Sequence, residues 1–154
     1  MIQVRKVKPE DLETIYKNAE VLNYEQLTMS SKLENMNIVI DNNEICGIGF
    51  YINIDNKCIL NWIHVNKVHR RKQLGTVLVK TMLNSAEHQG ALQANLPCEC
   101  NDFAEFLSFE RVVEADDIMD INQLYNELYQ VKPMQNIYKV SLIDYFKPCN
   151  HKRI

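Results

Sequence analysis

The stretch Val65-Asn66-Lys67-Val68-His69-Arg70-Arg71-Lys72-Gln73-Leu74-Gly75-Thr76 is where the chain changes period. Before it, residues 58–65 form an apolar-rich run of strand length that opens after the turn residues Asp55, Asn56 and Lys57. After it, Leu74, Val77, Leu78, Met82, Leu83 and Ala86 recur at helical spacing, which predicts an amphipathic helix of about four turns. Gly90 stands where such a helix often needs a left-handed residue to stop. The strand thus hands over to a helix through a loop carrying Arg70, Arg71 and Lys72. Unpaired backbone N–H groups and the positive end of the helix dipole converge at that point, and with the neighbouring cations they favour a phosphate-like anion.

Working outward, residues 38–40 and 45–54 read as two strands joined by a tight turn at Asp41, Asn42 and Asn43, residue types that tolerate positive φ. With residues 58–65 they make an antiparallel meander. Residues 91–96 follow the helix closely enough to form a strand parallel to the one before it, with Pro97 ending it. At the N-terminus, residues 2–7 alternate as a half-buried strand does. Pro9, Glu10 and Asp11 then open a helix that carries Leu12, Ile15, Tyr16, Ala19 and Leu22 on one face. Residues 23–37 have weak periodicity and are a candidate substrate lid. Further on, Asp102 and Glu105 have capping-box spacing for a short helix, and residues 109–114 read as a strand. Ile118, Ile121, Tyr125 and Leu128 mark a helix capped by Asp116 or Asp117, expected to pack on its own sheet, and Tyr138, Val140 and Leu142 alternate in a last strand. The expectation is one α/β (α+β) domain over residues 1–146 and a polar tail over 147–154, with no repeat or linker.

Bulk composition narrows the function classes. The 154 residues are 46% hydrophobic and 24% charged, ordinary for a self-folding globule. A net charge of -3 argues against nucleic acid as a partner, while the basic cluster around His69 and Arg70 leaves room for a small phosphorylated ligand. Cys46, Cys58, Cys98, Cys100 and Cys149 form an odd, irregularly spaced set, which suits a reducing compartment better than a disulfide framework. Neither Cys98 with Cys100 nor Cys149 with His151 has zinc spacing, so no metal is expected. Charges run throughout residues 1–20 and no apolar run reaches the ~20 residues of a membrane span, so a cytoplasmic protein with no membrane partner is expected.

In its strand-to-helix setting, the stretch from Val65 to Thr76 resembles the signature of the GNAT superfamily of acyl-CoA-dependent N-acyltransferases, Arg/Gln-x-x-Gly-x-Gly/Ala. The resemblance implies a splayed, mixed and mostly antiparallel β-sheet flanked by helices. It extends to residues 2–22 as the opening strand and helix and to residues 103–109 as the family's Phe-Tyr-x-x-x-Gly-Phe stretch. By that likeness Arg70 takes the first motif position and Gly75 the last. Arg71, Lys72, Gln73, Leu74, Gly75 and Thr76 would turn their amides to the pyrophosphate of acetyl-CoA, and Asn101 would stand near the coenzyme. Val65 would supply the backbone N–H that polarises the thioester carbonyl. One position departs, because the first motif glycine is Gln73; a positive φ there would cost ~1 kcal/mol.

The family's reaction moves an acetyl group directly onto a primary amine, on a small molecule or a peptide, and a homodimer is left open. Two substitutions bear on turnover. The tyrosine proposed to protonate the leaving thiolate is Ala104 here, and Ser108 replaces the glycine of the same stretch. In place of a carboxylate base the strand offers Asn61 and His64, and an imidazole with its ordinary pKa of ~6.5 suits the role if it faces the cleft. In an unbroken strand Asn61, Ile63 and Val65 share one face and Leu60, Trp62 and His64 the other, and a bulge would change that. Tyr24 and Glu25 lie in the connection that covers the acceptor in relatives. A non-catalytic acyl-CoA sensor with a degenerate active site is the alternative reading.

Overall fold

The computed structural model describes residues 1–17, 36–66, 73–97, 101–129 and 132–146. Among these residues the chain runs through β1 (Ile2–Lys6), a 3-10 turn (Pro9–Asp11), α1 (Leu12–Lys17), β2 (Met36–Asp41), β3 (Glu44–Ile54) and β4 (Lys57–Val65). It continues through α2 (Leu74–His88), β5 (Gln93–Pro97), α3 (Asn101–Phe106), β6 (Glu110–Arg111), α4 (Ala115–Tyr129) and β7 (Ile137–Ser141). One seven-stranded sheet results, in the order β1-β2-β3-β4-β5-β7-β6. Its neighbours are antiparallel except for β4 and β5, joined through α2. This is the mixed, mostly antiparallel sheet expected from the sequence.

Turn chemistry sets the meander. Asn42 and Asn43 have φ of 51° and 67°, and Asp55 and Asn56 have 50° and 65°, so both hairpins close through two left-handed residues of the types that tolerate it. Gly90, at φ 102°, ends α2, with Ala91 N–H donating to the Ala86 carbonyl at 3.0 Å. Ser108 has φ 68° and ends α3 in the same way: Phe109 N–H reaches back to the Ala104 carbonyl and Ser108 N–H to that of Glu105, each at 2.9 Å. The serine therefore adopts the left-handed conformation that a glycine would take without a Cβ penalty.

The sheet buries both faces. On one, α2 lays Leu78, Met82 and Leu83 on Val39, Tyr51, Leu60 and Leu96, and Ala104 and Leu107 join from the α3 region. Gly49 permits this close packing, since a Cβ there would stand 2.8 Å from the Met82 methyl. On the other face, Ile15 from α1 packs with Ile38, Ile48 and Phe50. Beside it, Ile121 and Tyr125 from α4 pack with Ile59 and Ile137. Sequence patterning misplaced some ends. The last strand before α4 shrinks to Glu110–Arg111, and α4 starts early enough that Asp116 and Asp117 lie inside its first turn, with Ile118 N–H bonded to the Glu114 carbonyl at 3.0 Å. The proposed lid and the 147–154 tail fall outside the described residues, except that Met36 and Asn37 belong to β2.

Candidate functional site

β4 and β5 run side by side for only a short distance. Their register is Lys57↔Gln93, Cys58↔Ala94 and Ile59↔Asn95, and beyond Ile59 the pairing stops although both strands continue. A cleft opens there. At its apex Tyr125, fully buried on α4, places its hydroxyl against the Leu60 carbonyl and, at 3.0 Å, against that of Asn95, one from each parting strand.

A β-bulge shapes the cleft's β4 wall. Gly49 pairs with Ile63 but Tyr51 with Leu60, so two residues of β4 stand opposite the single Phe50. The bulge corrects the facing expected for an unbroken strand. Leu60, Ile63 and Val65 all pack toward α2, which leaves Asn61 and His64 together on the opposite face, toward α1 and α4. The ladder past the bulge also fixes the backbone. Asn66 N–H donates to the Cys46 carbonyl at 2.7 Å, and the registers Gly47↔Val65 and Gly49↔Ile63 therefore fall on non-hydrogen-bonded pairs. At Ile63 and Val65 the N–H and C=O groups point away from β3, toward the edge that β5 has left.

The start of α2 meets the end of β4. A Cβ added at Gly75 would touch the Phe103 ring at 3.5 Å and a Val65 methyl at 3.6 Å, so β4, α2 and α3 converge on that glycine. Gln73 caps α2 in the left-handed conformation, φ 58° and ψ 25°, with no side-chain capping hydrogen bond, and no acid occupies the first turn. Val77 N–H takes up the Gln73 carbonyl at 3.2 Å, which leaves the N–H groups of Leu74, Gly75 and Thr76 as those without an intrahelical acceptor. The strain expected at Gln73 is present, and so is the open helix start.

Of the residues singled out from sequence, Val65, Gln73, Leu74, Gly75 and Thr76 gather around the mouth of the cleft. Asn61 and His64, 6% and 8% exposed, are buried on its other side. Arg70, Arg71, Lys72, Tyr24, Glu25, Cys98, Cys100, Cys149 and His151 lie outside the described residues, and for Asn101 only the backbone, which opens α3, is described. Ala104 is fully buried in the core and offers only a methyl group at the position where the resemblance implies a tyrosine. Two residues at the apex escape a reading by sequence. Tyr125 has the pattern of one member of an apolar helix stripe, and Asn95 is a polar residue inside a short apolar strand, a signal that could have been followed.

A parallel strand pair thus parts beside an uncapped helix start. The chain belongs to the Acetyltransferase (GNAT) family, whose model matches residues 5–105. Solved structures agree in fold. A GNAT acetyltransferase from Staphylococcus aureus Mu50 superposes with a TM-score of 0.67 at 17% identity, over 92% of this chain and 99% of its own. The ribosomal-protein-S18-alanine N-acetyltransferase of Escherichia coli gives 0.64 at 14%, over 92% and 94%. N-acetylglutamate synthase from Neisseria gonorrhoeae, solved with coenzyme A and N-acetyl-glutamate, gives 0.70 at 12%; this chain, 92% covered, spans 35% of it. Comparison with curated proteins returns no significant match. Among the described residues no helix is long and apolar enough to cross a membrane.

Proposed function

We propose that the chain transfers an acetyl group from acetyl-CoA directly to the primary amine of a small molecule or peptide. The observation that carries this reading is the β4 edge at Ile63 and Val65, turned into a cleft that runs up to the open start of α2. The pantetheine arm, with its own amides, lies along that edge as an added strand would. The pyrophosphate rests on the amides of Gln73, Leu74, Gly75 and Thr76, with Arg70, Arg71, Lys72 and Asn101 completing its surroundings.

Val65 N–H polarises the thioester carbonyl, and the neutral amine attacks it from the face that holds His64 and Asn61. A C–N bond forms, the amine proton passes to His64, and the C–S bond breaks with its electron pair leaving on sulfur. Solvent protonates the thiolate, because Ala104 has no proton to give. Asn61 orients the acceptor. Most of the acceleration comes from holding the two reactants together. The protein works in the cytoplasm as a single domain over residues 1–146.

Calorimetric titration with acetyl-CoA, repeated on Gly75→Asp, tests the donor site. An acid in the first turn of α2 favours the helix and its charge opposes pyrophosphate, and circular dichroism of the variant checks that it is folded. Micromolar binding by the wild type and its loss in the variant are expected; no binding by the wild type ends the proposal. A second reading, binding without turnover, is favoured by the buried Ala104. A thiol-release assay over a panel of amines separates the two. His64→Gln should lower kcat by roughly 10²- to 10⁴-fold if His64 is the base.

A further inference from the structure

Three polar atoms at the apex of the cleft have no hydrogen-bond partner although they are closed to solvent: Nδ2 and Oδ1 of Asn95, and Nδ2 of Asn61. Asn95 is 0% exposed. Leaving such an atom unpaired costs ~1–3 kcal/mol, so a buried amide with both ends unanswered implies a partner from outside the chain. The two side chains belong together. Ala94 and Leu96 pack under α2, which turns Asn95 to the other face, where the bulge also puts Asn61. Ile59 is the register partner of Asn95, and Asn61 lies two residues beyond it. The Tyr125 hydroxyl is committed to the Leu60 and Asn95 carbonyls and does not serve these amides.

We infer that Asn61 and Asn95 form a recognition site for a neutral amide carried by the acceptor beside its reactive amine. Asn95 presents one donor and one acceptor and Asn61 adds a donor, so an amide C=O accepts from the Nδ2 groups while its N–H donates to Asn95 Oδ1. A carboxylate would meet Asn95 Oδ1 acceptor to acceptor, and a simple alkylamine brings no carbonyl for the two Nδ2 groups. The pairing of β4 with β5 ends at this level, at Ile59 and Asn95, and His64 lies on the same face of β4, so a group held by these amides keeps its amine on the His64 side. This inference rests on the transferase reading for the identity of its ligand.

The test follows the side-chain amide NH2 signals of Asn61 and Asn95 by NMR during titration with glycinamide, with ethylamine and glycine as controls. The titration is run with and without coenzyme A, so a chain that fails to bind acetyl-CoA sinks the donor reading while the amide signals still report on glycinamide. Glycinamide should move both signals and the controls neither. Asn95→Leu should weaken glycinamide at least ~10-fold, about 1.4 kcal/mol, with acetyl-CoA affinity unchanged. Asn61→Ala repeats the comparison should the first variant fail to fold. Signals that stay still at millimolar glycinamide, or that answer all three probes alike, would show the amides to be satisfied by water alone and overturn the inference.

Discussion

Replacing Gln73 by glycine should stabilise the protein. Gln73 is held at φ 58° and ψ 25°, where its Cβ crowds the following carbonyl, and its side chain is exposed and makes no capping hydrogen bond. Removing that Cβ relieves ~1–2 kcal/mol, while the extra freedom of glycine in the unfolded chain returns ~0.5–1 kcal/mol. The net gain is about 0–1.5 kcal/mol, centred on about 0.7 kcal/mol, which at this chain length raises Tm by roughly 1–3 °C at the centre of that range. Thermal unfolding of the wild type, Gln73→Gly and Gln73→Ala measures it. Alanine keeps the Cβ and loses the same side-chain atoms beyond it, so it should gain nothing. A glycine variant that melts no higher than the alanine variant would refute the strain argument, because the side chain would then be contributing what the backbone geometry does not reveal.

Three further outcomes can be checked. The Arg5 guanidinium grips Asp11 through bonds of 2.7 and 2.9 Å and, with Lys8 N–H, holds the carboxyl at about 2 against its ordinary 3.8. A depressed pKa stabilises the fold above the unfolded value and loses that contribution as pH falls from 3.8 through 2. Asp11→Asn should thus lose ~1 kcal/mol, after allowance for solvent screening, in urea unfolding at pH 7, and match the wild type below about pH 2. Burial pushes the Cys58 thiol well above its usual range, so peptide mapping should find it unalkylated in the native protein and alkylated in guanidinium; rapid native labelling would contradict the packing around it. Tyr125→Phe strips the hydroxyl from two carbonyls at the apex and should cost ~1–3 kcal/mol, and a loss under about 0.5 kcal/mol would deny it that bridging role.

The fold is legible wherever local chemistry and period agree. The paired Asn and Asp residues at 42–43 and 55–56 announce the hairpins, and the shift to helical spacing after Gln73 announces the crossover helix that makes β4 and β5 parallel. Gln73 and Ser108 are legible as misfits: each stands where a glycine is expected, and each adopts the positive φ. What cannot be read is the register. A bulge adds one residue without changing composition, and period-two alternation across it assigns every later side chain to the wrong face. Strict alternation separates Asn61 from His64 for that reason alone. Tyr125 is hidden for another: its hydroxyl acts on carbonyls 65 and 30 residues away along the chain, a contact that only the packed structure contains.

Bulge and apex tyrosine are better understood as parts of one device. A regular β4 would send Val65 and Asn61 to the same face and keep His64 with Leu60 under α2, closed off by the main core. The extra residue lets the β4 end keep Ile63 and Val65 against α2, where Val65 touches the Gly75 position, while delivering Asn61 and His64 to the opposite side. The backbone edge between the two faces points away from β3, toward the side that β5 has left. Parting the strands exposes carbonyls that a parallel ladder would otherwise engage, and the deepest of them are answered by Tyr125. On the proposed reading the donor then lies along the edge of β4 and the acceptor comes from the His64 face, with the reacting carbonyl between them.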